Sequence, residues 1–346
     1  MLQLFPRRGS NPGTWRGFTL KAIDKVTLNL PDWPALFRKF GAHRGSRGLG
    51  PVSVELCCVF AVLPRIPLAW VTAKVNTNER PLLKRLVRKL RQGDLVLIDN
   101  GFYSWKLFAL LRDACCGFVI PLAKNTTPRI VGRLGPHDYL AEVTDSDTGA
   151  TMVLRLLYVY RRGFRRRRLL TSLLEAQKYS AAELAQLYHR RWDIETFYRD
   201  FKETMQARTW HCQTPDTFEK ELAMHMIAAV LIRSTMLEAA RSRRLPPARL
   251  SFARALTEAR VFFPRTAADG HAATADALTE FVIQCARYVV TVRPGRSFPR
   301  DPQEYRARAR GIGRRARGRP ANPAEILHDP VEETLTDTKE MTYALR

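Results

Sequence analysis

The stretch GFTLKAIDKVTLNL, residues 17–30, alternates with a period of two. Phe18, Leu20, Ala22, Val26, Leu28 and Leu30 share one face, and Thr19, Lys21, Lys25, Thr27 and Asn29 mostly line the other. Successive side chains of extended backbone point to opposite sides, so this pattern specifies a strand with one core face. Asp24 falls on that face. A carboxylate there is costly unless it is paired or bound to a cation. Its bland readings are a shifted register or a salt bridge to a neighbouring lysine.

Working outward, VSVELCCVFAVLP and IPLAWVTAKV are two further strands, joined as a hairpin across Pro64–Pro67. NERPLLKRLVRKLRQGD is an amphipathic helix with Leu82, Leu83, Leu86, Val87 and Leu90 on one side, ending at Gly93. LVLIDNG (95–101) is a short apolar run, as expected of a strand covered on both faces. It ends on Asp99, where open α/β sheets place ligands, although Asp-Asn-Gly is also an ordinary turn. SWKLFALLRDACC supplies a helix and GFVIPLAKN another strand. Three strands, then helix, strand, helix, strand, predict a mixed α/β sheet flanked by helices.

Five segments are expected. Residues 1–16 are a short N-terminal segment and 17–124 the first part of the α/β core. Residues 125–172 are a β-strand insertion, because YLAEV, TMVLRLLYVYRR and RRRRLLTSL are separated by turn material. Residues 173–292 are a helical C-terminal part, with helices at 180–205, 216–244 and 272–291. A Pro/Gly/Arg-rich tail, 293–346, is expected to be disordered.

The balance of 57 basic against 33 acidic residues, net +24, calls for a polyanionic partner. The charge is clustered, in RRGFRRRR (161–168), RPGRSFPR (293–300) and YRARARGIGRRARGRP (305–320). The longest uninterrupted apolar run, LCCVFAVLP at 56–64, is about half the ~20 residues a membrane helix needs. No signal-like apolar block opens the chain, so no membrane association is expected. Cys57-Cys58 and Cys115-Cys116 lie in apolar runs without zinc spacing and read as buried free thiols of a reducing cytoplasm. The histidines form no ligand cluster, and Trp192 and Trp210 are read as core or surface packing residues, with stacking on a displaced base as the alternative.

In SAAELAQLYHRRWDIETFYRDFKETM (180–205), Ser180 and Glu183 have capping-box spacing. On one continuous helix, Tyr188, Arg191, Glu195 and Lys202 fall within roughly 60° of one another, beside an apolar stripe. Alone, Arg191 and Glu195 are an ordinary i,i+4 pair worth a few tenths of a kcal/mol. With Asp24 and Asp99, however, Glu195 completes an all-oxygen set suited to a hard divalent cation.

Tyr188-x2-Arg191-x3-Glu195-x6-Lys202 resembles the Y-R-E-K signature of bacterial insertion-sequence transposases of the DDE type. IDNGFYSWKLFALL (98–111) is similar to that family's second-Asp block and LKAIDKVTLNLPD (20–32) to its first. The resemblance runs from about Gly17 to Arg300 and implies a ribonuclease H-like core interrupted by a β insertion. It implies that Asp24, Asp99 and Glu195 hold two Mg²⁺ or Mn²⁺ ions, and that a 3′-OH freed at a transposon end attacks target DNA. Tyr188, Arg191 and Lys202 would grip DNA phosphates, and Arg165, Arg166, Arg167 and Arg168 would lie near DNA on the insertion. Pairing two ends implies a homodimer on DNA, in a bacterial, nucleoid-associated setting. The family usually has Gly and a small hydroxyl residue after the first Asp, where this chain has Lys25 and Val26. On an alternating strand Lys25 faces away from Asp24, which spares the metal site. Only 23 residues precede Asp24, where members carry an end-recognition domain, so a shortened copy is one expectation. The alternatives are a non-catalytic basic DNA-binding derivative and a ribonuclease H-like nuclease or resolvase.

Overall fold

The period-two stretch forms a twelve-residue strand, β2 (Phe18–Asn29), preceded by the two-residue strand β1 (Thr14–Trp15) that folds back on it. The structure, a computed structural model, describes residues 14–45, 48–124, 126–160, 166–269 and 274–291. The expected disordered tail and Arg165 lie outside these residues. The described chain divides into two compact units, one of 14–102, 109–116 and 190–291 and the other of 103–108 and 117–189.

In the first unit, β2 is followed by the short helix α1 (Pro34–Phe40) and by strands β3 (Ala42–Gly45), β4 (Gly48–Ala61) and β5 (Ile66–Lys74). Helix α2 (Glu79–Val87) and strand β6 (Asp94–Ile98) come next, followed by helix α3 (Trp105–Asp113), of which residues 109–113 belong to this unit. β4 pairs antiparallel with β2, β3 and β5, whereas β6 runs parallel to β2 in the register Thr19↔Asp94 to Ile23↔Ile98. The order β5-β4-β2-β6 is the mixed sheet expected of a ribonuclease H-like core. The Pro64–Pro67 hairpin forms as read, and β6 is buried along its whole length.

Two expectations are corrected. The polar face of β2 is not open to water: Lys21 is buried and pairs with Asp94 at 2.5 Å, which a charge needs once the second face is covered. Helix α2 buries Leu82, Leu83, Leu86 and Val87 as expected but ends at Val87, and Gly93 instead makes the left-handed turn before β6 at φ +84°.

The second unit contains β7 (Gly117–Pro121), β8 (Arg129–Gly135), β9 (Asp138–Thr144), β10 (Thr151–Val159) and β11 (Arg167–Thr171), followed by helix α4 (Ala181–His189). Its strands run β7-β11-β10-β9-β8, all antiparallel. A fully buried guanidinium pins this unit: Arg155 donates to both carboxylate oxygens of Asp138 and to the carbonyls of Leu173 and Tyr179. Ser180 and Glu183 close the anticipated capping box at the head of α4.

Back in the first unit come α5 (Trp192–Arg199), α6 (Pro215–Ser242), α7 (Phe252–Asp269) and α8 (Thr274–Arg287). The last three share a core that includes Ile232, Met236, Phe252, Phe262 and Phe281. Among the described residues α6 is long and apolar enough to cross a membrane by composition, but Phe218, Leu222, Met226, Ala229 and Ile232 are buried in the core.

Candidate active site

Parallel pairing brings the first two acidic residues together. Ile23 and Ile98 are register partners, so Asp24 and Asp99 each stand one residue further along adjacent strands, which lie about 4.8 Å apart. β6 stops there and turns through the short 3₁₀ segment Asn100–Phe102, while β2 continues.

The third carboxylate arrives on α5. Ile194, Phe197 and Tyr198 are buried, and Phe197 stacks on Phe60 of β4 with centroids 5.4 Å apart. Tyr198 donates its hydroxyl to the backbone carbonyl of Asp24 at 2.7 Å, fastening α5 to β2. Glu195 lies one turn earlier on the same side of the helix, since residues three apart are neighbours there.

At the centre is Arg191. Its Nη1 lies 3.1 Å from Asp24 Oδ2, and its Nη2 lies 2.7 Å from Glu195 Oε1 and 3.7 Å from Asp99 Oδ1. The Arg191 side chain is 7% exposed, against 16% for Asp24, 38% for Glu195 and 46% for Asp99. Burial pushes the Asp24 carboxyl up to about 6; Arg191 and the Lys25 amide, which donates to Oδ1 at 2.8 Å, pull it down, and Asp99 and Glu195 raise it further. Three acids are therefore close enough to feel one another, with one guanidinium serving them all.

Lys25 faces away as expected, donating its ammonium to the Thr77 carbonyl at 3.1 Å and lying 3.7 Å from buried Glu55. Val26 brings no charge to the site.

The Tyr188–Lys202 segment is not one helix. α4 ends at His189, and α5 begins at Trp192 after i→i+3 bonds from Asp193 N–H to Arg190 O and Ile194 N–H to Arg191 O. Beyond α5, Asp200–Thr204 form a π turn, with Met205 N–H bonded to the Asp200 carbonyl at 2.9 Å. Each departure from 100° per residue changes the phase, so the single stripe does not survive. Tyr188 is buried in the second unit, at the end of α4. Lys202 is half-buried on the π turn, and among the described residues no ion pair joins it to the three acids. Arg166 and Arg167 are exposed, whereas Arg168 is half-buried and donates to the carbonyls of Ala123 and Lys124 at 3.4 and 3.2 Å. Trp210 packs in the core at 5% exposure, and Trp192 lies at the surface at 40%. Of the paired cysteines, Cys57, Cys58 and Cys116 are buried and Cys115 is exposed in a turn.

Sequence reading missed the clasp of Arg191 on Asp24, 167 residues away, for which one chain carries no signal. Tyr198 was within reach, since it lies on the Glu195 side of the helix.

The donor set suits a hard divalent ion: three carboxylates from three elements face a single positive charge, and one of them is held reluctant to ionise. Among the described residues no three acidic, histidine or cysteine side chains stand in ready metal-holding geometry. The oxygens are gathered round the Arg191 guanidinium instead.

Residues 18–231 match the Transposase DDE domain family. Transposase InsG for insertion sequence element IS4, from Escherichia coli strain K12, is 31% identical over 244 residues, covering 65% of this chain and 54% of that protein. The chain thus spans about half the length of this curated relative. A cryo-EM structure of the piggyBac transposase synaptic complex with hairpin DNA aligns with 81% of this chain and 59% of its own, at 14% identity and a TM-score of 0.37.

Proposed function

This chain belongs to the Transposase DDE domain family, and on that premise we propose that it moves an insertion sequence by cutting DNA strands and joining a freed 3′-OH to target DNA. The observation that carries the reading is the convergence of Asp24, Asp99 and Glu195 on one cation, from β2, the end of β6 and α5. The partner would be DNA, as transposon ends and as target, which the net charge of +24 favours. Two ends would be paired by a homodimer, and the setting would be the bacterial cytoplasm at the nucleoid.

Asp24, Asp99 and Glu195 would hold the divalent ions, Mg²⁺ or Mn²⁺. Bound there, two such ions would stabilise the attacking and leaving oxygens of an in-line phosphoryl displacement. The protein's own part is positioning. Tyr198 and the Lys25 amide fix Asp24 from two directions, and the buried face of α5 sets the height of Glu195. Arg191 and Lys202 would steady phosphates beside the cut, as their charge allows. The Y-R-E-K assignment belongs to this proposal as well, with Tyr188 as its first member.

The test is incubation of the full chain with Mn²⁺ and supercoiled DNA bearing the element's ends, scoring nicking and joining separately. Wild type is expected to do both, and Asp24→Asn, Asp99→Asn and Glu195→Gln to fall to background with DNA binding retained. Nicking without joining would point to a nuclease or resolvase. DNA binding with no cutting, unchanged by Asp99→Asn, would point to a non-catalytic derivative.

A further inference from the structure

A structural ion pair ordinarily matches one charge with one charge. Arg191 does not: its two terminal nitrogens reach three carboxylates, at 2.7, 3.1 and 3.7 Å, from inside a pocket that leaves its side chain 7% exposed. The planar fork of arginine suits such bridging, and a point-charge ammonium does not. Among the described residues no other side-chain cation pairs with these three acids, so without Arg191 their mutual repulsion would be offset mainly by the Lys25 amide on Asp24. The neighbouring cation Lys25 is engaged elsewhere, on the Thr77 carbonyl and Glu55.

We propose that Arg191 is a placeholder for divalent cations: in the metal-free chain its guanidinium organises Asp24, Asp99 and Glu195, and it surrenders their oxygens when metal binds. The inference rests on the reading that these acids hold metal.

Its geometry permits the exchange. Arg191 is the N-cap residue of α5, and leaving the acids requires only rotation of its side chain, with no change in the helix. The exposed indole of Trp192 lies beside it, with the guanidinium 5.6 Å from the ring centroid, and offers a cation–π resting place. From there the same charge is available to a DNA phosphate. One residue thus keeps the acids assembled before metal arrives and answers the strand afterwards.

The experiment is calorimetric titration of the full chain with Mn²⁺ for wild type, Arg191→Gln and Asp99→Asn, with melting temperatures in EDTA and in Mn²⁺. Arg191→Gln is expected to melt lower in EDTA, to bind Mn²⁺ about tenfold or more tightly than wild type, and to gain more in melting temperature from it. In wild type, modification of Arg191 by phenylglyoxal, read by peptide mass spectrometry, is expected to be slow in EDTA and several-fold faster in Mn²⁺. That arm decides the matter should Arg191→Gln fail to fold. Equal or weaker Mn²⁺ affinity in Arg191→Gln, or protection of Arg191 that Mn²⁺ leaves unchanged, overturns the placeholder. If Arg191→Gln binds Mn²⁺ no more tightly than wild type and binding vanishes in Asp99→Asn, the metal triad stands and only the placeholder falls. If neither protein binds Mn²⁺, both fall together.

Discussion

Burial lifts the Asp24 carboxyl from 3.8 to about 6 against the pull of Arg191. The folded chain therefore holds this proton more tightly than the unfolded chain does. Its stability contribution is greatest below about pH 4, is lost as pH rises to about 6, and is level beyond. The gap is worth about 3 kcal/mol. Asp24→Asn removes it, so denaturant titrations of the metal-free proteins from pH 4 to pH 7 should show wild type losing about that much relative to the variant. A pH-independent difference would mean that Asp24 does not titrate in this window. Because the ionised carboxylate is the ligand form, Mn²⁺ affinity in wild type should climb through pH 6. Gly101 presents a different sensitivity. A Cβ there would overlap the Glu79 carboxylate, in the turn that begins at Asp99. Because the Glu79 carboxylate is the movable end of a half-buried side chain, Gly101→Ala should displace it at a cost within about 0.5 kcal/mol. It should also reduce strand cutting by more than that loss explains, which denaturation and nicking assays on one preparation would separate.

α5 is useful because it is tied to the sheet at one polar point and along one apolar face. Tyr198→Phe keeps the ring's packing and deletes its hydrogen bond to the Asp24 carbonyl, at a cost of about 1–3 kcal/mol. Since that bond joins the helix of Glu195 to the strand of Asp24, cutting should weaken while binding of a DNA duplex stays unchanged. Gel-shift and nicking assays would show it, and parallel losses in both would refute the positioning role. Legibility follows the same division between local and distant causes. β2, the β4–β5 hairpin, α2 and β6 could be read because period-two or period-3.6 patterns arise within single elements. So could the candidate carboxylates, because Asp24 on the core face of β2, Asp99 just past β6 and Glu195 on a helix are local facts of residue type and place. The break at residues 190–191 and the π turn at Asp200–Thr204 could not. A one-residue change of phase leaves residue types untouched and is set by what each side chain meets: Arg191 its acids, and Asp200 the guanidinium of Arg233 at 2.5 Å. α7 was missed because Pro264 interrupts its pattern, although the helix continues past it.

Over the whole molecule, a surplus of 24 positive charges would make the proposed DNA binding a matter of counterion release. The run read at 165–168 need not act as one patch. Arg166 and Arg167 are open to solvent at the start of β11, whereas Arg168 spends its guanidinium on the carbonyls of Ala123 and Lys124. An arginine bound to backbone carbonyls has fewer donors left for phosphate, and its loss leaves acceptors unpaired. Replacing both Arg166 and Arg167 by Ala should therefore flatten the plot of log affinity against log salt by about 1.8, at roughly 0.9 for each phosphate left without its arginine. The melting temperature should hold, because exposed side chains away from any network rarely move stability by more than ~0.5 kcal/mol. Arg168→Ala should do the reverse, lowering the melting temperature while the slope changes little. Fluorescence anisotropy on a labelled duplex, with salt varied from about 50 to about 200 mM and paired with thermal melts, tells the two apart. A slope unchanged in the Arg166/Arg167 variant would take this hairpin off the DNA-binding surface and leave the charge elsewhere to account for the affinity.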